Sequence, residues 1–355
     1  MSTTHPLAIV RRLALVTFIF VLTAAGARGA TYTALYAFGD SLSDRGNTYN
    51  ALGGSGADSA IYSEIGYTDQ PGRYDNGRWS NGKLWVEHLN DALGLPTLQR
   101  NDGTQPVFFG TNFAWAGSQS GTGYTDLILK NLQTQIADMI SLSAGSAPST
   151  ALYTVWSGGN DVIDYISDGE PNTPAAIDAH TTIMADNIST GLTTLYNAGA
   201  RHFLAPNLPA LGDKPSYVNT PNQAFANAIV ASYNPKLAQE LVDFRTAHPD
   251  AELAGWDVFT QFNDMLNNPG VYGFTNTQQA AFNNSGAYPG IVAADPNSHV
   301  FWDGTHPTAA GHAILGVDAQ RALGVGLGIP EPSSIVLLML GAFAIGQRSL
   351  RRRAA

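Results

Sequence analysis

The sequence predicts an α/β fold, a three-layer sandwich in which helices cover both faces of a central, mostly parallel sheet. Between residues 34 and 323, short apolar runs typical of buried strands alternate with longer stretches of helical periodicity. Such alternation favours a parallel sheet with helices on both faces, in a single domain. At 355 residues, 44% of them hydrophobic, the chain can bury a large core.

The elements are expected in alternating order along the chain. Strands are expected at Ala34–Phe38, Pro106–Trp115, Ala151–Trp156, Arg201–Ala205 and Glu252–Val258. Helices are expected around the apolar stripe Trp85, Val86, Leu89 and Leu93, and over 127–142, 175–198, 224–247 and 309–323. Pro235 lies inside the helix over 224–247, and we expect it to kink or split that helix.

The stretch from Thr48 to Asn81 is the longest region without clear periodicity. Long loops inside compact domains are usually functional, so we expect this one to form a wall or lid over a site. The alternative is that its aromatic residues only pack the loop down. Those residues are Tyr62, Tyr67, Tyr74 and Trp79.

Composition excludes several classes of function. Residues 31–329 contain 11 basic and 27 acidic side chains, a net charge of −16, which disfavours binding to nucleic acid or anionic lipid headgroups. Without cysteine, the chain has no disulfide, thiolate metal site or cysteine nucleophile. Its eight histidines form no His-x-His or His-x-x-x-His pair, which argues against a zinc site.

A serine follows the first expected strand, within Phe38-Gly-Asp-Ser-Leu-Ser-Asp-Arg-Gly-Asn47. In a parallel sheet, ligands bind beyond the carboxyl ends of the strands, so Ser41 is a candidate nucleophile. A hydroxyl is a poor nucleophile at neutral pH. It therefore requires a base, a group that orients the base, and donors for an oxyanion.

Candidates for these groups occur near other strand ends. Asp303-Gly-Thr-His306 precedes the last helix and supplies a histidine with a carboxylate three residues earlier, a base and its orienting group. Gly117 and Asn160 offer a backbone and a side-chain donor for an oxyanion. Each has another interpretation in isolation: His306 as a cap or loop residue, Gly117 as a turn glycine and Asn160 as a helix cap.

Taken in order, these segments resemble the motif blocks of the GDSL, or SGNH, hydrolase family. The blocks are Gly39-Asp-Ser-Leu42, Gly117, Gly158-Gly-Asn-Asp161 and Asp303-Gly-Thr-His-Pro307. Segments 77–82, 207–212 and 268–274 resemble its phospholipase/lecithinase-like and plant-type branch. One departure is Ala116, where many relatives in that branch have a second glycine. The Gly-x-Ser-x-Gly pattern of the α/β-hydrolase elbow does not surround Ser41.

The resemblance implies a flavodoxin-like SGNH hydrolase fold. It also implies Ser41 as nucleophile, His306 as base and Asp303 as its orienting group. The oxyanion hole would consist of the Ser41 N–H, the Gly117 N–H and the Asn160 side chain. The implied reaction is hydrolysis of carboxylic esters through an acyl-enzyme on Ser41, without a metal or organic cofactor.

Three readings of the function remain open at this stage. The substrate is a small-molecule or lipid ester, or instead an acylated exopolysaccharide that the protein deacetylates. In a different class, the chain is an inactive matrix or adhesion protein that keeps the fold. The intact set of candidate catalytic positions favours an enzyme.

The amino terminus has the layout of a secretory signal peptide. Arg11 and Arg12 precede an apolar run over 13–24, and small residues follow. We expect residues 1–30 to be removed, with cleavage after Ala27 or Gly29. The alternative, a permanent anchor, is disfavoured because the apolar run is short for a bilayer core of about 30 Å.

The carboxyl terminus resembles the PEP-CTERM sorting signal of exopolysaccharide-producing Gram-negative bacteria. Pro330-Glu-Pro332 is followed by an apolar segment over 335–345 and an arginine cluster over 348–353. The resemblance implies transient membrane association, cleavage by an exosortase, and delivery to the cell surface or matrix. A plain hydrophobic anchor is the alternative. The expected domains are the signal peptide (1–30), the hydrolase (31–328) and the sorting signal (329–355).

Overall fold

The computed structural model of the chain describes residues 32–52, 74–107, 110–125, 128–283 and 291–324. The strands are β1 (Leu35–Gly39), β2 (Tyr124–Thr125), β3 (Leu129–Lys130), β4 (Leu152–Trp156), β5 (His202–Pro206), β6 (Glu252–Trp256), β7 (Asn276–Ala280), β8 (Phe282–Asn283), β9 (Ile291–Val292) and β10 (His299–Phe301). The helices are α1 (Asn47–Ala51), α2 (Trp85–Ala92), α3 (Leu132–Leu142), α4 (Gly159–Ser167), α5 (Pro174–Ala198), α6 (Pro221–Ala247), α7 (Val258–Asn267) and α8 (Ala309–Ala322).

The central sheet is parallel, with the strand order β1-β4-β5-β6. Residues 111–115 run along the free edge of β1, parallel to it, through a bridge between Ala37 and Asn112. Counted along the chain, this edge segment is second, so the order across the sheet is 2-1-3-4-5. That is the flavodoxin-like order, in which the ligand site lies where the chain direction across the sheet reverses, beside the first strand.

Two apolar cores lie on opposite faces of this sheet. Because side chains alternate along a strand, Phe38 and Tyr153 pack with α3, α5 and α6, whereas Leu35 and Trp156 pack with α2, α7 and α8. Both cores consist of fully buried aliphatic and aromatic side chains. The predicted three-layer α/β sandwich with a parallel central sheet is therefore confirmed.

Several element predictions need correction. Within the strand expected at 106–115, the described residues (106–107 and 110–115) form no strand and contribute isolated bridges at Asn112. The helix expected from residue 127 begins at Leu132, because 129–130 pair with 124–125 in a short hairpin. Helix α6 continues through Pro235 as one element, so it is not split. The helices α1, α4 and α7 have no predicted counterpart, because each is too short to give a clear apolar period in the sequence.

A side chain from helix α3 explains why the edge segment is irregular. The Gly39 N–H, which a regular ladder would pair with the Phe113 carbonyl, donates instead to Gln135 Oε1 at 2.9 Å. The Gln135 amide nitrogen donates to the Gly39 carbonyl at 2.8 Å and to the Lys130 carbonyl at 2.7 Å. Gln135 is fully buried, so it replaces backbone pairing at the end of β1.

The signal peptide, the sorting signal and most of the expected lid lie outside the described residues. Tyr62 and Tyr67 are among these, whereas Tyr74 and Trp79 are described. Within the described ranges, every helix is too short or too polar to cross a bilayer.

We predict that Gln135→Leu lowers the free energy of unfolding by about 2–4 kcal/mol, because it leaves the buried Gly39 N–H without its partner and removes one hydrogen bond each from the Gly39 and Lys130 carbonyls. Urea denaturation followed by circular dichroism measures the change. Gln239→Leu, at an exposed position of α6, is the matched control and should alter stability by less than about 0.5 kcal/mol. Equal effects of the two substitutions would contradict the role of Gln135.

Candidate active site

Ser41 lies just beyond the carboxyl end of β1, where the sheet admits only glycine. Gly39 has a φ of +142°, and a Cβ there would overlap the Trp156 carbonyl oxygen of the neighbouring strand. The chain then turns sharply, with the N–H groups of Ser43 and Asp44 donating to the Asp40 carbonyl at 3.0 Å. This turn exposes Ser41 at the floor of a cavity.

The structure brings Ser41 together with His306 and Asp303, which are 265 and 262 positions further along the chain. His306 Nε2 lies 2.8 Å from Ser41 Oγ. On the other side of the ring, His306 Nδ1 lies 2.7 Å from Asp303 Oδ2 and 3.0 Å from Oδ1. Both side chains are buried. A continuous chain of hydrogen bonds therefore runs from carboxylate to imidazole to hydroxyl.

Asp303 sits in a turn that stabilises its charged form. Its Oδ1 accepts hydrogen bonds from the Thr305 and His306 N–H groups at 2.8 and 2.7 Å, and its Oδ2 accepts one from the Tyr74 hydroxyl at 2.9 Å. Burial alone would raise the pKa of Asp303, but the charge and hydrogen bonds of His306 and the backbone donors hold it below its usual value. The carboxylate is thus ionised at neutral pH.

Residues 80–81 fix the loop that carries His306. The Ser80 hydroxyl donates to the Pro307 carbonyl at 2.9 Å, and Asn81 Oδ1 accepts the Ala309 N–H at 2.7 Å. The Trp79 ring lies against the imidazole, with centroids 5.3 Å apart. Segment 77–82, for which the family resemblance gave no role, therefore holds in place the loop that carries His306.

Gly117 and Asn160 line the same cavity as Ser41. Gly117 has a φ of +78°, a left-handed conformation that favours glycine, and a Cβ there would also lie 2.6 Å from Leu129 Cδ1. Asn160 lies in the first turn of α4, and its Nδ2 donates to the Ser118 carbonyl at 2.9 Å. That bond uses one hydrogen of the Asn160 amide. The second amide hydrogen is donated to no other residue that the structure describes. The N–H groups of Ser41 and Gly117 likewise donate to no other described residue.

Asp44 ties the loop after β1 to the segment that carries Gly117. Its carboxylate accepts the N–H groups of Gly46, Asn47 and Thr48, which begin helix α1. It also accepts the Ala116 N–H at 3.0 Å. The Gly117 backbone is therefore fixed relative to the Ser41 turn by a buried carboxylate.

Asp40, the residue before the serine, is buried and lines the cavity. Its Oδ1 accepts the Leu42 N–H at 3.0 Å. Burial raises the pKa of Asp40 to about 7, against the lowering effects of this hydrogen bond and of His306. Near neutral pH this carboxyl therefore carries only part of its charge, which limits its repulsion of other negative charge in the cavity.

One cavity of about 310 Å³ joins these groups. Ser41, Gly117, Asn160 and His306 line it, whereas Asp303 lies behind the imidazole. Most of the remaining wall is apolar and comes from both sides of the sheet edge: Leu42, Trp79, Leu129, Trp156, Ile163, Pro209, Leu211, Phe262, Phe301 and Leu315. The cavity can therefore hold the apolar part of a small ester next to the serine.

Two polar residues of the site were not identified from the sequence. The sequence predicts Tyr74 only as a wall or packing residue of the loop, yet its hydroxyl contacts Asp303. Lys214 lines the cavity and lies two residues after the end of the 207–212 segment, which is the one signal in the sequence. Neither residue lies in a periodic pattern that indicates its place in the site.

A family model described as GDSL-like Lipase/Acylhydrolase matches residues 35–317. A second model, described as the PEP-CTERM protein-sorting motif, matches residues 328–353 and indicates export and sorting to the cell surface. Two GDSL esterase/lipases of Arabidopsis thaliana are similar to the chain. The first is 28% identical over 85% of this chain and 90% of its own length. The second is 27% identical over 81% and 87%.

Two solved structures are similar at a lower level. One is an acetylxylan esterase from Geobacillus stearothermophilus, with a TM-score of 0.44, 12% identity, and coverage of 83% of this chain and 95% of the other. The other is a phospholipase A1 from Streptomyces albidoflavus, with a TM-score of 0.39, 14% identity, and coverage of 82% and 99%. Scores this low carry no argument about this chain.

The family expected from the motif blocks is thus confirmed over the greater part of the sequence. The chain belongs to the GDSL-like lipase/acylhydrolase family and is an exported carboxylic ester hydrolase.

Proposed function

We propose that ester hydrolysis proceeds through an acyl-enzyme on Ser41, with His306 as general base and Asp303 as its orienting group. The observation that carries the proposal is the hydrogen-bonded chain from Asp303 through His306 to Ser41 Oγ, with 2.7 and 2.8 Å between the nitrogens and oxygens. Asp303 accepts from Nδ1 and so leaves Nε2 free of a proton, as proton removal from the hydroxyl requires.

In the first step, His306 Nε2 takes the Ser41 proton while Oγ attacks the ester carbonyl. The resulting imidazolium is stabilised by Asp303, which is already ionised and held by three donors. The same nitrogen then gives its proton to the departing alcohol. Water attacks the acyl-enzyme with His306 again as base, and Ser41 is regenerated.

The oxyanion that forms in each step needs donors fixed beforehand. The Ser41 and Gly117 N–H groups and the second Asn160 amide hydrogen are the candidates. Hydrogen bonds from Ala116 to Asp44 and from Asn160 to Ser118 hold two of these donors in place before substrate arrives. Donors that need no rearrangement stabilise the transition state more than the ground state.

The cavity wall supports esters with a compact apolar part, and the esterase/lipase names of the plant relatives agree with that class. A second candidate substrate is an acylated exopolysaccharide, which the sorting motif at 328–353 favours because it directs the chain to the cell surface. An inactive matrix protein is disfavoured, since such a protein has no need to keep the Asp303–His306–Ser41 geometry.

We also propose the domain boundaries of the chain and its export route. Residues 1–30 act as a signal peptide, 31–328 form the hydrolase, and 329–355 are the segment that an exosortase removes at the inner membrane. The end point is the cell surface, the extracellular matrix or the medium. The sorting motif found at 328–353 supports the last boundary.

Ser41→Ala should abolish hydrolysis of 4-nitrophenyl acetate, a loss of about 10⁴-fold or more, because no other group forms the acyl-enzyme. Initial rates measure the loss, and far-ultraviolet circular dichroism checks that the protein remains folded. The control is Ser167→Ala, at an exposed position of α4, which should retain full activity. Full activity of a folded Ser41→Ala protein would rule out Ser41 as the nucleophile.

Asn160→Ala should lower kcat by about 10²–10³-fold while KM changes little, because an oxyanion donor acts mainly in the transition state. Steady-state kinetics with a short-chain 4-nitrophenyl ester separate the two constants. Asn267→Ala, at the exposed end of α7, serves as control. A higher KM at unchanged kcat would assign Asn160 to substrate binding instead.

Tyr74→Phe should lower kcat about tenfold at nearly constant KM, since it removes one charge-assisted hydrogen bond from Asp303 and keeps the ring. Steady-state kinetics test this, with Tyr124→Phe on the exposed β2 hairpin as control. If Tyr74 only packs the loop, the phenyl ring suffices and kcat will not change.

A further inference from the structure

A buried ammonium group lines the same cavity as Ser41. Lys214 follows the 3₁₀ turn over Leu211–Asp213, and only 5% of its surface is exposed. Its Nζ donates to Thr305 Oγ1 at 3.2 Å, and Thr305 directly precedes His306 in the chain. The ammonium therefore lies close to the reacting centre, on the side of the 303–306 loop.

The charge of Lys214 has no close counter-ion in the described part of the chain. Its polar contact is the neutral Thr305 hydroxyl, and its Nζ lies 3.9 Å from the centroid of the Tyr217 ring. Asp303 attracts the ammonium at longer range, but that carboxylate is already paired with His306. A buried charge is costly unless it is paired, so the buried ammonium of a residue that lines a cavity favours an anion inside that cavity.

The cationic form prevails under ordinary conditions. Burial lowers the pKa of Lys214 to about 8, while Asp303 acts in the opposite direction. At pH 7 most of the molecules therefore carry the charge. An ammonium has three donor hydrogens, and Thr305 accepts one of them.

The free hydrogens of Lys214 favour a particular kind of ligand. Thr305 accepts one ammonium hydrogen, and the cavity that Lys214 lines is largely apolar. A group with several acceptor oxygens, such as a carboxylate, can accept the remaining hydrogens, whereas a hydrocarbon chain leaves them unpaired.

The other charged groups of the cavity do not supply this anion. Asp40 accepts the Leu42 N–H and is partly protonated near neutral pH. Asp164 accepts a hydrogen bond from Gln119 Nε2 at 2.7 Å. Neither forms an ion pair with Lys214 in the described structure. The acidic outer surface is screened beyond about 8 Å at physiological ionic strength, while a contact inside the cavity is screened much less.

We propose that Lys214 is a specificity-determining residue that binds a carboxylate carried by the substrate close to the scissile ester. The substrate class is therefore esters of acidic molecules, with the carboxylate either in the acyl part or in the alcohol part, as in an O-acetylated uronate unit. This inference rests on the proposed function, because it assigns a substrate class to the Ser41 site.

The test compares length-matched esters, 4-nitrophenyl hydrogen adipate and 4-nitrophenyl hexanoate, at pH 7. Wild-type protein should have the higher kcat/KM for the adipate, and Lys214→Gln, which keeps a donor for Thr305, should lower the adipate-to-hexanoate ratio about tenfold. Lys214→Met is a second variant that should lower it similarly. Lys236→Gln, which removes a lysine of α6 paired with Asp178, should leave the ratio unchanged.

A second comparison places the carboxylate in the alcohol part. Acetate release from O-acetylated polygalacturonate is measured before and after methyl esterification of its carboxylates. Esterification should slow release by the wild type about tenfold and have little effect on Lys214→Gln. A preference that depends on Lys214 in the first assay places the carboxylate in the acyl part of the substrate. A preference that depends on Lys214 in the second assay places it in the alcohol part.

Two results overturn the inference while leaving ester hydrolysis intact. One is a wild type that hydrolyses both 4-nitrophenyl esters without preferring the adipate and releases acetate equally from both polymers. The other is a folded Lys214→Gln protein whose ratios equal those of the wild type, which makes Lys214 a support for the Thr305 loop. Failure of the wild type to hydrolyse any of these esters overturns the proposed function itself, and this inference with it.

Discussion

The peptide of Gly39 is the point on which the geometry of the site depends. Its carbonyl accepts hydrogen bonds from the Trp115 N–H at 3.0 Å, the Ser118 hydroxyl at 3.0 Å and the Gln135 amide at 2.8 Å. Its N–H is taken by the same Gln135 side chain. Strand β1, the segment leading to Gly117 and helix α3 therefore meet at one buried peptide. The position of Ser41 relative to Gly117 follows from this junction.

Charge in the site is controlled mainly by burial and by fixed donors. Asp303 is buried but surrounded by donors, so it stays ionised and can stabilise a protonated His306. Asp40 is equally buried but has fewer donors, so its pKa rises to about 7. Two carboxyl groups close to one imidazole thus differ in charge because their hydrogen-bond partners differ. Lys214 adds a cation on the remaining side.

The sequence was sufficient to predict the layers and the main residues of the site, because both have local signals. Strands buried on both faces appear as apolar runs, and Ser41, Asn160 and His306 directly follow such runs or precede a helix. The irregularity of the segment at 106–115 could not be predicted from local signals. Its regular pairing with β1 is interrupted by the side chain of Gln135, which lies some twenty residues later and produces no periodic pattern in the segment. Likewise, Tyr74 meets Asp303 across 229 positions.

The order of the site residues along the chain has a consequence for when the site can assemble. Ser41 is synthesised early, whereas Asp303 and His306 come within the last fifteen per cent of the sequence. The loop that carries them is also fastened by Ser80 and Asn81, near the other end. A chain that stops before residue 303 therefore has Ser41 without the imidazole beside it. The hydrogen bonds that link Asp303, His306 and Ser41 can form only when the carboxyl-terminal part of the fold is in place.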